Sequence, residues 1–422
     1  MIQRQSKSLS FRPFLQVTAR KFGDASDVTY EIFGGDMPER LSRAVRSLLL
    51  PGQHLDEQNL RMGNRVLVEL NNLMANINMS RPRSINLLEW TRHLVVQASS
   101  CGVYGNYHPL LNPKVEQAFW KWQEYLPMHL AGFDPLGKGY QHRQVVYDAY
   151  IEYCRNLPED GSELARVHKR IMQDSGVDEL DYAKQASLFT FAVFANTSVT
   201  LYWTIWELFS RPSVLSEVRK ELETHAIQRT EDRTGEFTLD LAALKSKCPI
   251  LLSVFQETQR TRHVNASFRK VMTDTVLDDK YLLKAGNFLQ LPGHPVHCDT
   301  SLWGPDAREF NPYRFVPTRK KQVETLQPNS FVAWGLPPFL CPARQFAAAE
   351  ILIATALLAI RADLLPRCGK WDPSPALNYT ESSTLLNPEK DLRVDVRSRE
   401  MWTGTWSLRM GESIGRIPLV SG

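Results

Sequence analysis

The longest apolar stretch of this chain runs from Asp181 to Phe209, in the sequence DYAKQASLFTFAVFANTSVTLYWTIWELF. Apolar residues occupy almost every face of the helix that this stretch predicts. In a water-soluble protein such a helix is typical of the centre of a large domain. The pattern stops at Arg211-Pro212, and SVLSEVRKELETHA then predicts a surface helix with its charges on one side.

Helical periods also dominate the rest of the chain. Residues 1 to about 110 mix basic and apolar positions and predict amphipathic helices, broken at Pro51-Gly52 and near Pro82. Further helices are predicted from Lys114 to Leu130 and from Gln141 to Asn156. The segment IQRTEDRTGEFT is interpreted as a polar linker, and LDLAALKSKCPILLSVFQETQRTR after it as helical.

The pattern changes between Phe268 and Pro292, where β-branched and apolar residues are punctuated by Asp-Asp and Ala-Gly. This pattern predicts short strands and hairpins. The expected fold class is therefore mainly α with a small β region contributed late in the chain.

Composition limits the function classes. A chain of 422 residues with 43% hydrophobic content can bury a substantial core. The formal net charge of +4 is small for this length and comes from interspersed charges, so nothing demands a nucleic-acid partner. The N-terminus has no apolar targeting segment, and we expect no secretion signal and no membrane anchor within the chain.

The 6 cysteines are scattered without a CxxC pair. This argues against a disulfide framework or a zinc site and favours a reducing compartment. One of them, Cys341, lies in VAWGLPPFLCPARQFAAAEI, just before a predicted helix. Backbone N–H groups at a helix N-terminus can stabilise a thiolate at this position. The alternative is one more buried thiol that packs as a small hydrophobe.

Two further motifs precede Cys341. FQETQRTR places Glu257 and Arg260 at i and i+3 on one helix face, where they can pair. WGPDAREFNPYRF places Arg314 between two phenylalanines, and its guanidinium could complete a buried Glu-Arg-Arg cluster.

The order of these motifs, ExxR, then FNPYRF, then a cysteine in WGLPPFLCPARQFA, resembles the cytochrome P450 superfamily of haem-thiolate enzymes. The resemblance covers most of the chain and is strongest from Asp181 onward. The Trp-Gly before the cysteine loop and an asparagine in the central helix are similar to the branch of sterol 7α-hydroxylase and prostacyclin synthase.

This resemblance implies the cytochrome P450 fold and heme b, iron protoporphyrin IX, with Cys341 as the ligand of its iron. Phe346 and the alanines after it would lie against the macrocycle. Arg269 matches an arginine that binds a haem propionate, the alternative being an exposed charge at the start of a strand. Residues His263 to Ser267 would face the substrate.

The sequence also departs from the family pattern. In the cysteine loop, Pro337, Phe339 and Ala343 replace the usual glycine, basic residue and glycine. Where most family monooxygenases have an acid and a threonine in the central helix, this chain has Asn196-Thr197-Ser198. Asn196 and Thr197 are the candidate catalytic residues, able to hold water and relay protons. The alternative is that these polar groups only satisfy a bent helix backbone.

The chain is expected to be a single haem-thiolate domain, residues 1–422, shortened at the N-terminus and lacking the usual anchor and first sheet strands. The strands after Phe268 would then lack partners and leave an exposed edge. The expected location is the cytoplasm or the cytoplasmic face of the endoplasmic reticulum, with peripheral membrane association left open.

The expected function is a monooxygenase that oxidises a hydrophobic small molecule, in fungal secondary metabolite biosynthesis, with electrons from an NADPH-dependent reductase. Two alternatives remain at this point. One is a haem-thiolate isomerase or dehydratase that uses no dioxygen, suggested by Asn196. The other is an inactive, truncated paralogue.

Overall fold

The structure is a computed structural model of the chain. It describes residues 2–5, 7–75, 77, 81–230, 235–317, 330–336, 340–380, 384–411 and 415–420. Statements about absent features below refer to these residues. Pro337 and Phe339, two of the departures in the cysteine loop, lie outside them.

Helices make up most of the described chain, as the apolar periods predict. In chain order they are α1 (Arg12–Lys21), α2 (Asp27–Gly34), α3 (Met37–Leu48), α4 (Gln53–Met74), α5 (Leu87–Tyr104), α6 (Pro113–Glu124), α7 (Leu126–Ala131), α8 (Lys138–Arg155), α9 (Glu163–Asp174), α10 (Glu179–Phe209), α11 (Pro212–His225), α12 (Leu241–Lys247), α13 (Pro249–Arg262), α14 (Gly293–His297), α15 (Thr300–Trp303) and α16 (Arg344–Arg361). Short 3₁₀ turns lie at Ile2–Gln5, Pro109–Leu111 and Glu400–Trp402.

The strands are short. They are β1 (Leu9–Ser10), β2 (Arg83–Asn86), β3 (Ile227–Arg229), β4 (Glu236–Asp240), β5 (Ala266–Val271), β6 (Thr275–Leu277), β7 (Tyr281–Leu283), β8 (Phe288–Pro292), β9 (Ala362–Pro366), β10 (Arg393–Ser398) and β11 (Thr405–Arg409). They form three sheets of three strands, in the orders β1-β5-β8, β2-β10-β9 and β11-β4-β3, and the hairpin β6-β7.

Helix α10 is the centre of the protein. Its 31 residues begin two positions before the predicted start, because the Asp178 side chain caps the helix by accepting from Asp181 N. It packs against α5, α8, α13 and α16. Among the described residues it alone is long and apolar enough to cross a membrane, yet 67% of its most apolar window is buried inside the protein. This is the burial expected of a central helix.

The strands between Ala266 and Pro292 confirm the predicted β region, but two expectations about the sheets are wrong. The strands after Phe268 do not lack partners, because β1 pairs antiparallel with β5 in the register Leu9↔Val271 while β8 pairs on the other side. The segment interpreted as a linker contributes β3 and the start of β4, both hydrogen-bonded in a sheet with β11.

Several histidines are buried inside this helical body, which disfavours their charged form. Burial lowers the pKa of His108 and His297 to about 3 and that of His168 and His263 to about 4. Below pH 6.5 the unfolded chain binds protons that the folded chain does not, so folding stability falls as the pH falls from 6.5 toward 4.

We therefore expect each such histidine to lower the free energy of unfolding in urea by about 2 kcal/mol between pH 7 and pH 5, against opposite contributions from Glu221 and Glu350, whose pKa values burial raises to about 7 and about 8. The variant His168→Phe tests the origin of this loss. His168 packs against the rings of Tyr182 and Phe189, which suit phenylalanine. Its loss of stability should be smaller than that of the parent by about 2 kcal/mol. Equal losses in the two proteins would contradict the assignment.

Candidate active site

Helix α13 presents Glu257 and Arg260 on one face, as the spacing predicts. Arg260 Nε and Nη2 each donate to a carboxylate oxygen of Glu257 at 2.8 Å, and Arg314 Nε donates to Glu257 Oε1 at 3.0 Å. All three side chains are buried. The predicted Glu-Arg-Arg cluster is thus formed, with two guanidinium groups sharing one carboxylate.

The remaining N–H groups of the two arginines organise the chain around them. Arg260 Nη1 donates to the carbonyl oxygens of His297 at 2.7 Å and of Ala307 at 2.5 Å. Arg314 also pairs with Asp306, at 2.9 Å. The cluster therefore joins α13 to the end of α14 and to the loop that follows α15.

The ring of His297 extends this framework to the loop before Cys341. The backbone N–H of Val332 donates to His297 Nε2 at 2.9 Å. An imidazole that accepts at Nε2 is neutral and carries its proton on Nδ1. This agrees with burial, which lowers the pKa of His297 to about 3. The neutral ring is therefore required for this link.

Cys341 lies three residues before the start of α16. Its backbone N–H donates to Trp334 O at 2.8 Å, and Arg344 Nη1 donates to Cys341 O at 3.0 Å. Burial raises the pKa of the Cys341 thiol, although the Ala343 N–H and the Arg344 charge act in the opposite direction. A further positive partner beside the sulfur would favour the thiolate form of Cys341.

A cavity of about 390 Å³ lies between α10 and the start of α16. The α16 side contributes Cys341, Phe346 and Ala347, and the α10 side contributes Val193, Asn196, Thr197 and Thr200. His263, Asn265, Ala266 and Ser267 also line it, as predicted for the segment that would face the substrate. Cys341 and the polar residues Asn196 and Thr197 of α10 therefore line the same cavity.

The polar residues of α10 play different parts. The Thr197 hydroxyl donates to Val193 O at 2.7 Å and the Ser198 hydroxyl to Ala195 O at 3.4 Å, so both satisfy the helix backbone. Asn196 instead accepts from the Thr384 N–H at 3.0 Å through Oδ1. Thr197 and Ser198 therefore make the helix-backbone contacts that the alternative describes, whereas the Asn196 side chain contacts Thr384.

Arg269 is buried in strand β5, so the alternative of an exposed strand-start charge is wrong. Its Nη1 donates to Phe268 O at 2.6 Å, and its guanidinium lies 5.8 Å from the Phe11 ring centroid. Arg269 is two residues beyond Ser267, which lines the cavity. The two residues share one face of the strand, because side chains alternate along it.

Phe346 has its position in the cavity wall because α5 approaches α16 closely. A Cβ added at Gly102 would lie 3.1 Å from the Phe346 ring and 3.1 Å from Met62 Cβ, so a larger residue there would require the ring or Met62 to move by a few tenths of an ångström. One turn further along, Ser99 Oγ donates to Glu350 Oε2 at 2.7 Å. This contact ties the same two helices together.

Residues 415–420 are hydrogen-bonded to helix α16, which follows Cys341, and to helix α13. The Gln345 side chain donates to Ile417 O at 3.0 Å and accepts from Ile417 N at 2.9 Å. The Gln256 side chain accepts from Val420 N at 2.7 Å. Two side-chain amides, one on α16 and one on α13, therefore hold this segment by its backbone.

Sequence reasoning missed two residues of the site. Trp334 lines the cavity, and its indole Nε1–H is buried with no hydrogen-bond partner among the described residues. Thr384 reaches Asn196 from 188 positions away in the chain. The Trp-Gly pair was a signal for the first, but no local pattern marks Thr384.

The chain is similar to known proteins of one family. The family described as Cytochrome P450 matches residues 142–375. The chain is similar to the cytochrome P450 monooxygenase nodJ of Hypoxylon pulicicidum, with 30% identity over 100% of this chain and 83% of the relative. It is also similar to a cytochrome P450 monooxygenase of Gibberella zeae, with 26% identity over 96% of this chain and 80% of the relative.

Among solved structures, the retinoic acid bound cyanobacterial CYP120A1 has a similar fold. The TM-score is 0.66 with 19% identity, over 86% of this chain and 79% of the other. This likeness bears on the fold alone.

The Glu-Arg-Arg cluster gives a test of what holds the site together. In Glu257→Gln two buried guanidinium groups lose their shared carboxylate, and breaking a buried pair typically costs about 3–5 kcal/mol. We expect the free energy of unfolding in urea to fall by this amount. The matched variant Glu309→Gln changes an exposed side chain and should alter it by less than about 0.5 kcal/mol. Similar small losses in both would show that the cluster does not support the fold.

Proposed function

The chain belongs to the cytochrome P450 family and is a monooxygenase with a haem cofactor, and from this premise we propose that it oxidises a hydrophobic small molecule in fungal secondary metabolism. The observation that carries the proposal is the apolar cavity that opens onto Cys341. The similarity to monooxygenases of two fungi supports the proposed context. The isomerase and the inactive paralogue are not favoured by these comparisons.

The residues around the cavity fit a haem. Cys341 lines the cavity and offers a single soft thiolate donor, which suits iron. Phe346 and Ala347 offer an apolar wall for a flat macrocycle. The unpartnered Trp334 N–H is a buried polar atom that a polar group of a bound molecule would satisfy.

We propose that Cys341 holds the iron, that Phe346 packs on the ring, and that Arg269 pairs with a propionate. When bound, haem supplies the iron at which dioxygen is activated for insertion into the substrate. The protein contributes the remaining conditions. The Ala343 N–H and the Arg344 charge both favour the thiolate of Cys341.

Asn196 and Thr197 are proposed to serve the proton supply at the opposite wall. The carbonyl end of the Asn196 amide is occupied by Thr384 N–H, so its Nδ2 end is the donor side and can orient a water or a substrate oxygen. The Thr197 hydroxyl donates its hydrogen bond to Val193 O, so its oxygen lone pairs can accept a hydrogen bond from water. Together they hold a water that can pass a proton to the cavity, and this water recovers its proton from solvent.

An electron donor is also required. One relative, from Alternaria alternata, is a bifunctional cytochrome P450/NADPH--P450 reductase, 30% identical over 56% of this chain. We propose an NADPH-dependent reductase as the partner of this chain as well. The proposed place of action is the cytoplasm or the cytoplasmic face of the endoplasmic reticulum, and the proposed domain organisation is one haem-thiolate domain.

The carbon monoxide difference spectrum of the reduced protein tests the proposed ligand. We expect the long-wavelength Soret band of a thiolate-ligated haem in the parent and its loss in Cys341→Ala. The matched variant Cys368→Ala removes an exposed thiol and should keep the band. A parent without this band, or a Cys341→Ala protein that retains it, would overturn the assignment.

The role of Thr197 is tested by the electrons that fail to reach product. With a reductase and NADPH, Thr197→Val should raise the hydrogen peroxide released per NADPH consumed, because the variant cannot hold the proton-relay water. Thr204→Val is the control, since the Thr204 hydroxyl donates to Thr200 O at 2.8 Å in the same way but does not line the cavity. If the two variants release equal amounts, Thr197 has only a backbone role.

A further inference from the structure

A second cavity, of about 530 Å³, lies at the C-terminal end of α10. Its walls come from the ends of α10 and α13, from the loop after α15 and from the segment after β9. Its lining combines arginines with aromatic rings. The arginines are Arg211, Arg262 and Arg308, and the aromatic residues are Trp206, Phe310 and Trp371.

The charges of this cavity do not balance. Arg211 and Arg262 share one buried carboxylate, Glu207, with contacts of 2.5 Å and 2.6 Å. Asp372 is the other carboxylate of the lining. Three guanidinium groups against two carboxylates leave an excess of one positive charge, which favours an anion.

Arg308 supplies the charge that is available to a ligand. It is exposed, and it makes no hydrogen bond or ion pair to any residue that the structure describes. Its planar fork of N–H donors matches a carboxylate or a phosphate. A guanidinium that lines a cavity without a protein partner is poised for an anionic one.

The aromatic residues supply flat apolar surface beside these charges. The rings of Trp206 and Trp371 meet edge to face with centroids 5.3 Å apart. The Arg211 guanidinium lies over the Phe310 ring at 4.2 Å, which shows that cations and rings already stack in this cavity. A planar ring would find edge and face contacts there.

We propose that this second cavity binds a small anion that carries a planar aromatic ring, such as an aromatic carboxylate. Arg308 receives the anionic group and the wall formed by Trp206 and Trp371 receives the ring. The site is separate from the cysteine cavity, and the proposal does not depend on the reaction performed there.

The second cavity is a neighbour of the cysteine cavity. The last turn of α13 separates the two cavities, because Arg262 lines the second and His263 the first. Glu207 joins the ends of α10 and α13 through Arg211 and Arg262. These two arginines are therefore engaged by Glu207, and Arg308 is the guanidinium that receives the anion.

Isothermal titration calorimetry on the full chain tests the site with three probes. The probes are 2-naphthoate, the uncharged 2-naphthalenemethanol, and cyclohexanecarboxylate, which lacks an aromatic ring. We expect 2-naphthoate to bind at least about tenfold more tightly than either of the others, because only it uses both halves of the site. No detectable heat with 2-naphthoate would overturn the proposal.

Two variants locate the binding. In Arg308→Gln the affinity for 2-naphthoate should fall about tenfold, the loss expected when a charge-assisted hydrogen bond is removed. Arg170→Gln is the matched control, since the Arg170 side chain is 64% exposed and lines neither cavity. Equal affinities in Arg308→Gln and Arg170→Gln would place the binding elsewhere and overturn the proposal.

The aromatic part has its own control. Trp371→Leu should weaken 2-naphthoate while leaving cyclohexanecarboxylate unchanged, because only the ring contact is lost. If 2-naphthoate and cyclohexanecarboxylate bind equally and depend equally on Arg308, the cavity is a general anion site and the aromatic class is wrong.

Discussion

Glu257 is the carboxylate on which the arrangement of this protein depends. Removing a carboxylate and two guanidinium groups from water is costly, and the cost is offset only when the geometry is good and every remaining donor is satisfied. The bidentate contact from Arg260 and the contact from Arg314 meet the first condition. The backbone carbonyls that surround Arg260 meet the second, which is why this cluster fixes so much chain around it.

The connection from this cluster to the cysteine loop is made of directional hydrogen bonds that involve backbone groups. Arg260 holds the backbone of His297, and the ring of His297 holds the N–H of Val332. Each contact fixes a different segment, so helix α13 sets the position of the loop before Cys341. The buried cluster thus serves the site from outside it, because none of its three side chains lines the cysteine cavity.

The sequence predicts well what depends on local pattern or on strongly constrained chemistry. Helix α10 follows from its apolar length, and the Glu257 cluster follows from residue spacing and motif order. What it could not predict is pairing between distant segments. Strand β1 is two residues long, and its partner β5 is more than 250 positions away. The contact between Asn196 and Thr384 changes the meaning of the asparagine, yet it depends on a loop whose own residues carry no signal.

The contacts of residues 415–420 have a consequence for how the protein is made. The chain leaves the ribosome from its N-terminus, so the members of the Glu257 cluster emerge before Cys341, and the segment that binds Gln345 and Gln256 emerges after both of them. Helix α16 therefore acquires its final surroundings only once residues 415–420 have been synthesised. A ligand that binds only this completed, folded form adds directly to its stability.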